Sequence, residues 1–139
     1  MFISTTARSA SAYKVASVEA SVEMADSHGL INLLFEALIR SLKAAKISMA
    51  NRDVPAKCKH IGSAIRLIEE GLILALNPEE GGELAANLRE LYSFCVVRLV
   101  HANAKNDVTA LEEVERIIDP IADGWRQIRG AVPANSRPV

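Results

Sequence analysis

The feature that most constrains this chain is an apolar residue at every third or fourth position, sustained through four successive segments. Leu30, Leu34, Leu38, Leu42, Ala45 and Met49 form the first series, and Ile61, Ile65, Ile68, Leu72, Ala75 and Leu76 the second. Leu84, Leu88, Leu91, Cys95, Leu99 and Ala102 form the third, and Leu111, Val114, Ile118, Ile121, Trp125 and Ile128 the fourth. A helical period sets each series on one face, whereas a strand would need strict alternation. No hairpin turn chemistry accompanies these segments.

The breaks are short. Asp26 is placed to cap a first helix over residues 27–50, and Asn51-Arg52-Asp53 is a tight turn. Asp53 caps the second helix, with Pro55 in its first turn, where the missing N–H costs nothing. Asn77 to Gly82 reads as the clearest loop. The third helix ends near Lys105-Asn106, and Asp107 caps the fourth, which Pro120 should kink. Helices joined this tightly run antiparallel. The expected fold is therefore all-α: an up-down four-helix bundle over residues 24–129, with a flexible or partly helical N-terminal arm (1–23) and a disordered tail (130–139). A chain of 139 residues suits one such domain and buries roughly 70% of its unfolded surface.

Composition narrows the function. The net charge of −1 provides no general attraction to nucleic acid or anionic lipid. No apolar run approaches the ~20 residues of a membrane span, and the first residues lack a secretory signal's apolar stretch, so a cytoplasmic protein is expected. Cys58 and Cys95 lie far apart, each inside a helical pattern, and read as reduced packing thiols.

Chemistry-bearing motifs are sparse. His28, His60 and His101 are preceded at three residues by Ala25, Lys57 and Arg98, so the Glu-x-x-His pairs of a di-metal bundle are absent. There is no Gly-rich phosphate loop, and Cys58 and His60 face different directions on one helix. Glu112, Glu113, Glu115, Arg116 and Asp119 read as a solvated face with local pairing. No enzyme, metal or cofactor is expected. One alternative with chemical content is a histidine phosphotransfer module centred on His60, whose successors Ile61-Gly62-Ser63 include small residues.

Some apolar residues exceed what one stripe per helix needs. Ile31, Phe35 and Ile39 form a second row on the first helix. Leu67, Gly71 and Leu74 do so on the second, and Tyr92, Val96 and Val100 on the third. These either fill the flanks of the core or line an exposed groove for an amphipathic segment. The occupant could be a partner, a second copy in a structural helical dimer, or the arm itself, which carries Tyr13, Val15, Val18 and Val22.

Several stretches, taken in order, resemble the flagellar export chaperone FliS family. Ala12-Tyr13 resembles an Ala-Tyr pair in that family's arm, and Ala25 to Leu30 its cap before the first long helix. Leu33-Leu34-Phe35-Glu36-Ala37 is similar to Met-Leu-Tyr-Asp-Gly, and Leu91-Tyr92-Ser93-Phe94 to Leu-Tyr-x-Tyr. Arg98 to Asn103 followed by Asp107 resembles Arg-Leu-x-x-Ala-Asn with a downstream Asp, and Leu111 to Val114 with Trp125 completes the pattern. Ser27 stands where Pro is usual, Ala37 where Gly is, and Phe35 and Phe94 where Tyr is common.

The resemblance implies a cytosolic chaperone, monomeric or weakly dimeric, that binds the disordered C-terminal segment of flagellin. It would prevent early polymerisation and aid delivery to the type III export gate, which is a further candidate partner along with other flagellar proteins. Expected binding residues are Ile31, Phe35, Ile39, Tyr92 and Val96, with Tyr13 in a displaceable lid. On that expectation Phe35→Asp leaves the protein helical and weakens binding.

Overall fold

The computed structural model describes residues 27–128. They form α1 (Ser27–Ala50), α2 (Val54–Arg66), a π-helical segment (Leu67–Leu72), a short α-turn (Ile73–Ala75), α3 (Pro78–Lys105) and α4 (Val108–Ile128). No strand occurs among the described residues. The Asp26 cap, the arm and the tail lie outside them. Helix α1 packs against α2 and α4, and α3 packs against both as well, closing the four-helix ring.

The turns follow from local chemistry. Asp53 Oδ1 accepts the Ala56 N–H at 3.2 Å, and Arg52 takes the left-handed conformation (φ 57°) that reverses the chain between α1 and α2. Asn106, also left-handed (φ 51°), ends α3 with its N–H on Ala102 O. Asp107 Oδ1 then accepts the Thr109 N–H at 3.0 Å and opens α4. Lys57 is buried and donates to Asn103 O at 2.9 Å and Asn106 Oδ1 at 2.5 Å, tying α2 to the α3–α4 turn.

One expected backbone break moves. The supposed loop at residues 77–82 is mostly helix, because Asn77 Oδ1 accepts the N–H groups of Glu79 and Glu80 and Pro78 occupies the first turn. The break falls inside α3 instead, at Gly82 (φ 52°, ψ −127°), a conformation that side chains with a Cβ rarely adopt. Helix α4 runs from Val108 to Ile128 with Pro120 inside it. Both Pro120 and Arg116 are exposed, so the carbonyl that the proline leaves without a donor lies on the solvent side.

The core is built largely from the predicted stripes, although three of their members, Leu84 and Leu91 of α3 and Ile128 of α4, are exposed. Leu34, Leu38, Leu42, Ile61, Ile68, Leu99, Leu111, Val114 and Ile118 are fully buried. Cys95 packs among them, and burial pushes its thiol up to about 11. Cys58 does not pack: it is exposed, and its Sγ donates to Asn103 Oδ1 at 3.5 Å. The acidic face of α4 pairs across helices as well as facing water. Glu115 accepts from Lys46 of α1 at 2.9 Å, and Glu113 from Arg98 of α3 at 2.7 Å.

Candidate partner-binding site

At one end of the bundle the four helices leave a small apolar pocket of about 50 Å³. Ile31, Phe35, Leu72, Ala75, Leu76, Leu88, Tyr92, Ile121 and Trp125 line it. Every helix contributes. The α2 side reaches it through the π-helical segment, in which Ile73 N–H bonds Ile68 O five residues back. That widened turn brings Leu72, Ala75 and Leu76 to the pocket, and such turns recur at functional sites.

The rim is held by His28 and Trp125. Their rings stack with centroids 4.6 Å apart and planes 9° from parallel. His28 Nε2 lies 2.8 Å from Trp125 O, and Trp125 Nε1 donates to His28 O at 3.1 Å. A carbonyl can only accept, so His28 Nε2 carries the proton and Nδ1 is left as an acceptor. Nδ1 and Asn32 Oδ1, one helical turn on, are both buried without a donor among the described residues.

Three of the residues singled out in the sequence, Ile31, Phe35 and Tyr92, meet in this pocket. They form its inner wall. Phe35 is 1% exposed and Tyr92 3%, and burial pushes the Tyr92 hydroxyl well above its ordinary value. Phe35 is thus core, because α1 is flanked by α2 on one side and α4 on the other. Ile39 and Val96 are half-buried and pack against the core elsewhere. Tyr13 lies outside the described residues. Of the other surplus residues, Leu67 and Gly71 are buried, whereas Leu74 and Val100 are exposed.

The surface apolar residues that sequence reasoning missed, Phe94 and Val97, are on α3, where they join Leu91 of the main stripe and Val100 of the surplus row. Leu91, Phe94, Val97 and Val100 follow at steps of three, with 36%, 43%, 65% and 54% of their surfaces exposed. Residues three apart on a helix are neighbours, so the four make one slanting apolar ridge. The signal was present in the run Leu91 to Val100, where Ser93 and Arg98 are the only strongly polar residues. No single inward stripe can hide so many.

No helix of the described residues is long and apolar enough to cross a membrane. A family model described as flagellar protein FliS matches residues 9–132. The chain is 42% identical over 123 residues to the flagellar secretion chaperone FliS of Salmonella typhimurium, covering 88% of this chain and 91% of the relative. It is 38% identical over 121 residues to the Escherichia coli protein of the same name (87% and 89% covered). It is 42% identical over 113 residues to the flagellar secretion chaperone FliSB of Pseudomonas aeruginosa (81% and 89%).

Proposed function

This chain belongs to the FliS family of flagellar secretion chaperones, and on that premise we propose that it binds the disordered C-terminal segment of flagellin in the cytoplasm. By holding that segment it prevents premature polymerisation and helps deliver the subunit to the flagellar type III export apparatus. The observation that carries this reading is the exposed α3 ridge of Leu91, Phe94, Val97 and Val100. An amphipathic segment lacking a core of its own can lay its apolar face there and gain helix on docking. Ordering such a segment costs ~2–5 kcal/mol or more of the interaction energy, which calls for an extended contact rather than a single pocket. The ridge supplies length, and the pocket beside His28 and Trp125 supplies a small concave anchor for the tip of an apolar side chain. In this reading Tyr13 and the arm cover part of that surface until flagellin displaces them.

The test is isothermal titration calorimetry of the full chain with a flagellin C-terminal peptide, repeated with Val97→Asp. Binding that is lost in the variant supports the ridge. Equal binding by both proteins removes it from the site.

A further inference from the structure

We propose that the cavity between the α1–α2 turn and the α3–α4 turn is a binding site for a carboxylate group, held by Lys57 and Arg52. This cavity, of about 380 Å³, is lined by Ser48, Met49, Arg52, Asp53, Val54, Lys57 and Asn106. It lies at the end of the bundle opposite the apolar pocket and does not depend on the flagellin reading.

The central observation is a buried cation without a counter-charge among the described residues. Lys57 is 5% exposed. Two of its three N–H bonds go to neutral acceptors, Asn103 O and Asn106 Oδ1. The described residues offer no acceptor for the third and place no carboxylate within ion-pair distance of it. An ammonium buried against neutral partners alone is costly. The C-terminus of α3 offsets this by only about half a charge. Asp53 also lines the cavity, but its carboxylate caps α2 through the Ala56 N–H.

The remaining walls suit the same ligand. Arg52 is exposed at the mouth and adds a second cation. Ser48, itself buried, gives its proton to Ala44 O, so its oxygen is left free to accept, and Met49 and Val54 supply apolar contact for a short stem. The ligand class is therefore an anionic carboxylate on a small aliphatic stem. It comes either from an acidic side chain of a bound polypeptide or from a free dicarboxylate.

The experiment is an amide chemical-shift titration of the full chain with four probes. These are sodium glutarate, an acetylated and amidated Ala-Glu-Leu-Ala peptide, its Gln counterpart, and sodium chloride at matched ionic strength. Saturable shifts centred on Arg52, Asp53, Lys57 and Asn106 are expected from glutarate, from the Glu peptide, or from both, and not from the two controls. A response to the Glu peptide alone identifies a chain-borne ligand. Arg52→Gly suits the left-handed position and should keep the thermal midpoint while weakening binding about fivefold. Lys57→Met should abolish binding and Lys57→Arg should restore it. Non-saturating shifts, equal shifts with chloride, or undiminished binding by folded Arg52→Gly overturn the proposal.

Discussion

His28 and Trp125 clasp each other across 97 positions of sequence, each ring nitrogen meeting the other residue's main-chain carbonyl while the two rings stack. The pair joins the first turn of α1 to the last turns of α4 and so closes the ring of helices at the pocket end. Trp125→Phe keeps an aromatic surface but removes the donor to His28 O. It should cost about 1–2 kcal/mol in urea denaturation followed by circular dichroism. His28→Phe, which removes the reciprocal donor, should cost a similar amount. Two variants with unchanged midpoints would show the clasp to be energetically idle.

Phe35→Asp should unfold the protein rather than merely weaken binding, which reverses the expectation from sequence. The side chain is enclosed, and a carboxylate there has no described partner, so a loss of about 4 kcal/mol or more is expected. Phe35→Leu should cost about 1–2 kcal/mol and stay folded. Chemical denaturation of the two variants side by side checks this.

Substitutions on the ridge should behave in the opposite way. Phe94→Asp and Val97→Asp alter exposed positions, so stability should stay within about 0.5 kcal/mol of the parent. Affinity for a flagellin C-terminal peptide should fall at least about tenfold, equivalent to about 1.4 kcal/mol, by calorimetry.

Asp107 should make stability decline in acid. Burial pushes its carboxyl up, but hydrogen bonds from the Ala110 and Thr109 N–H groups and from His101 outweigh that and hold it below the usual carboxylate range. The unfolded chain therefore takes up the proton first. The contribution is complete above the ordinary Asp value of about 3.9 and disappears as pH falls through the lower folded value. Asp107→Ala should lower the midpoint at pH 7 and flatten the acid decline, as measured by thermal melts across pH.

Two glycines should respond oppositely to the same methyl group. Neither Gly82 nor Gly124 has a heavy atom within 4 Å of where a Cβ would stand. Gly82→Ala meets the positive φ and should cost about 1 kcal/mol or more. Gly124→Ala, inside α4, should stabilise by about 0.5–1 kcal/mol. Thermal melts of both variants decide it.

The helices were legible because their periodicity and caps agree. Asp53 with Pro55, and Asp107 after a left-handed Asn106, mark boundaries that residue identity alone can show. Breaks that depend on backbone geometry were not legible. Gly82 looked like one loop residue among several, and six residues of π-helix carry the same apolar pattern as an α-helix. The site was half legible. Ile31, Phe35 and Tyr92 were found for their excess apolarity, but sequence cannot say which flank of a crowded helix faces in. Phe94 and Val97 fell between the counted rows, although the apolar run around them could have revealed them.

The π-helical segment gives the chain a point of slack. A widened turn holds one residue more than an α-helix needs between the same two flanks. Removing a residue such as exposed Glu69 would let Leu67–Leu72 close as ordinary α-helix, with Ile61 and Leu76 still aimed where they are now. The same deletion in the middle of α3 would swing everything beyond it through about 100°. Chain length is therefore negotiable beside the pocket and fixed along the ridge.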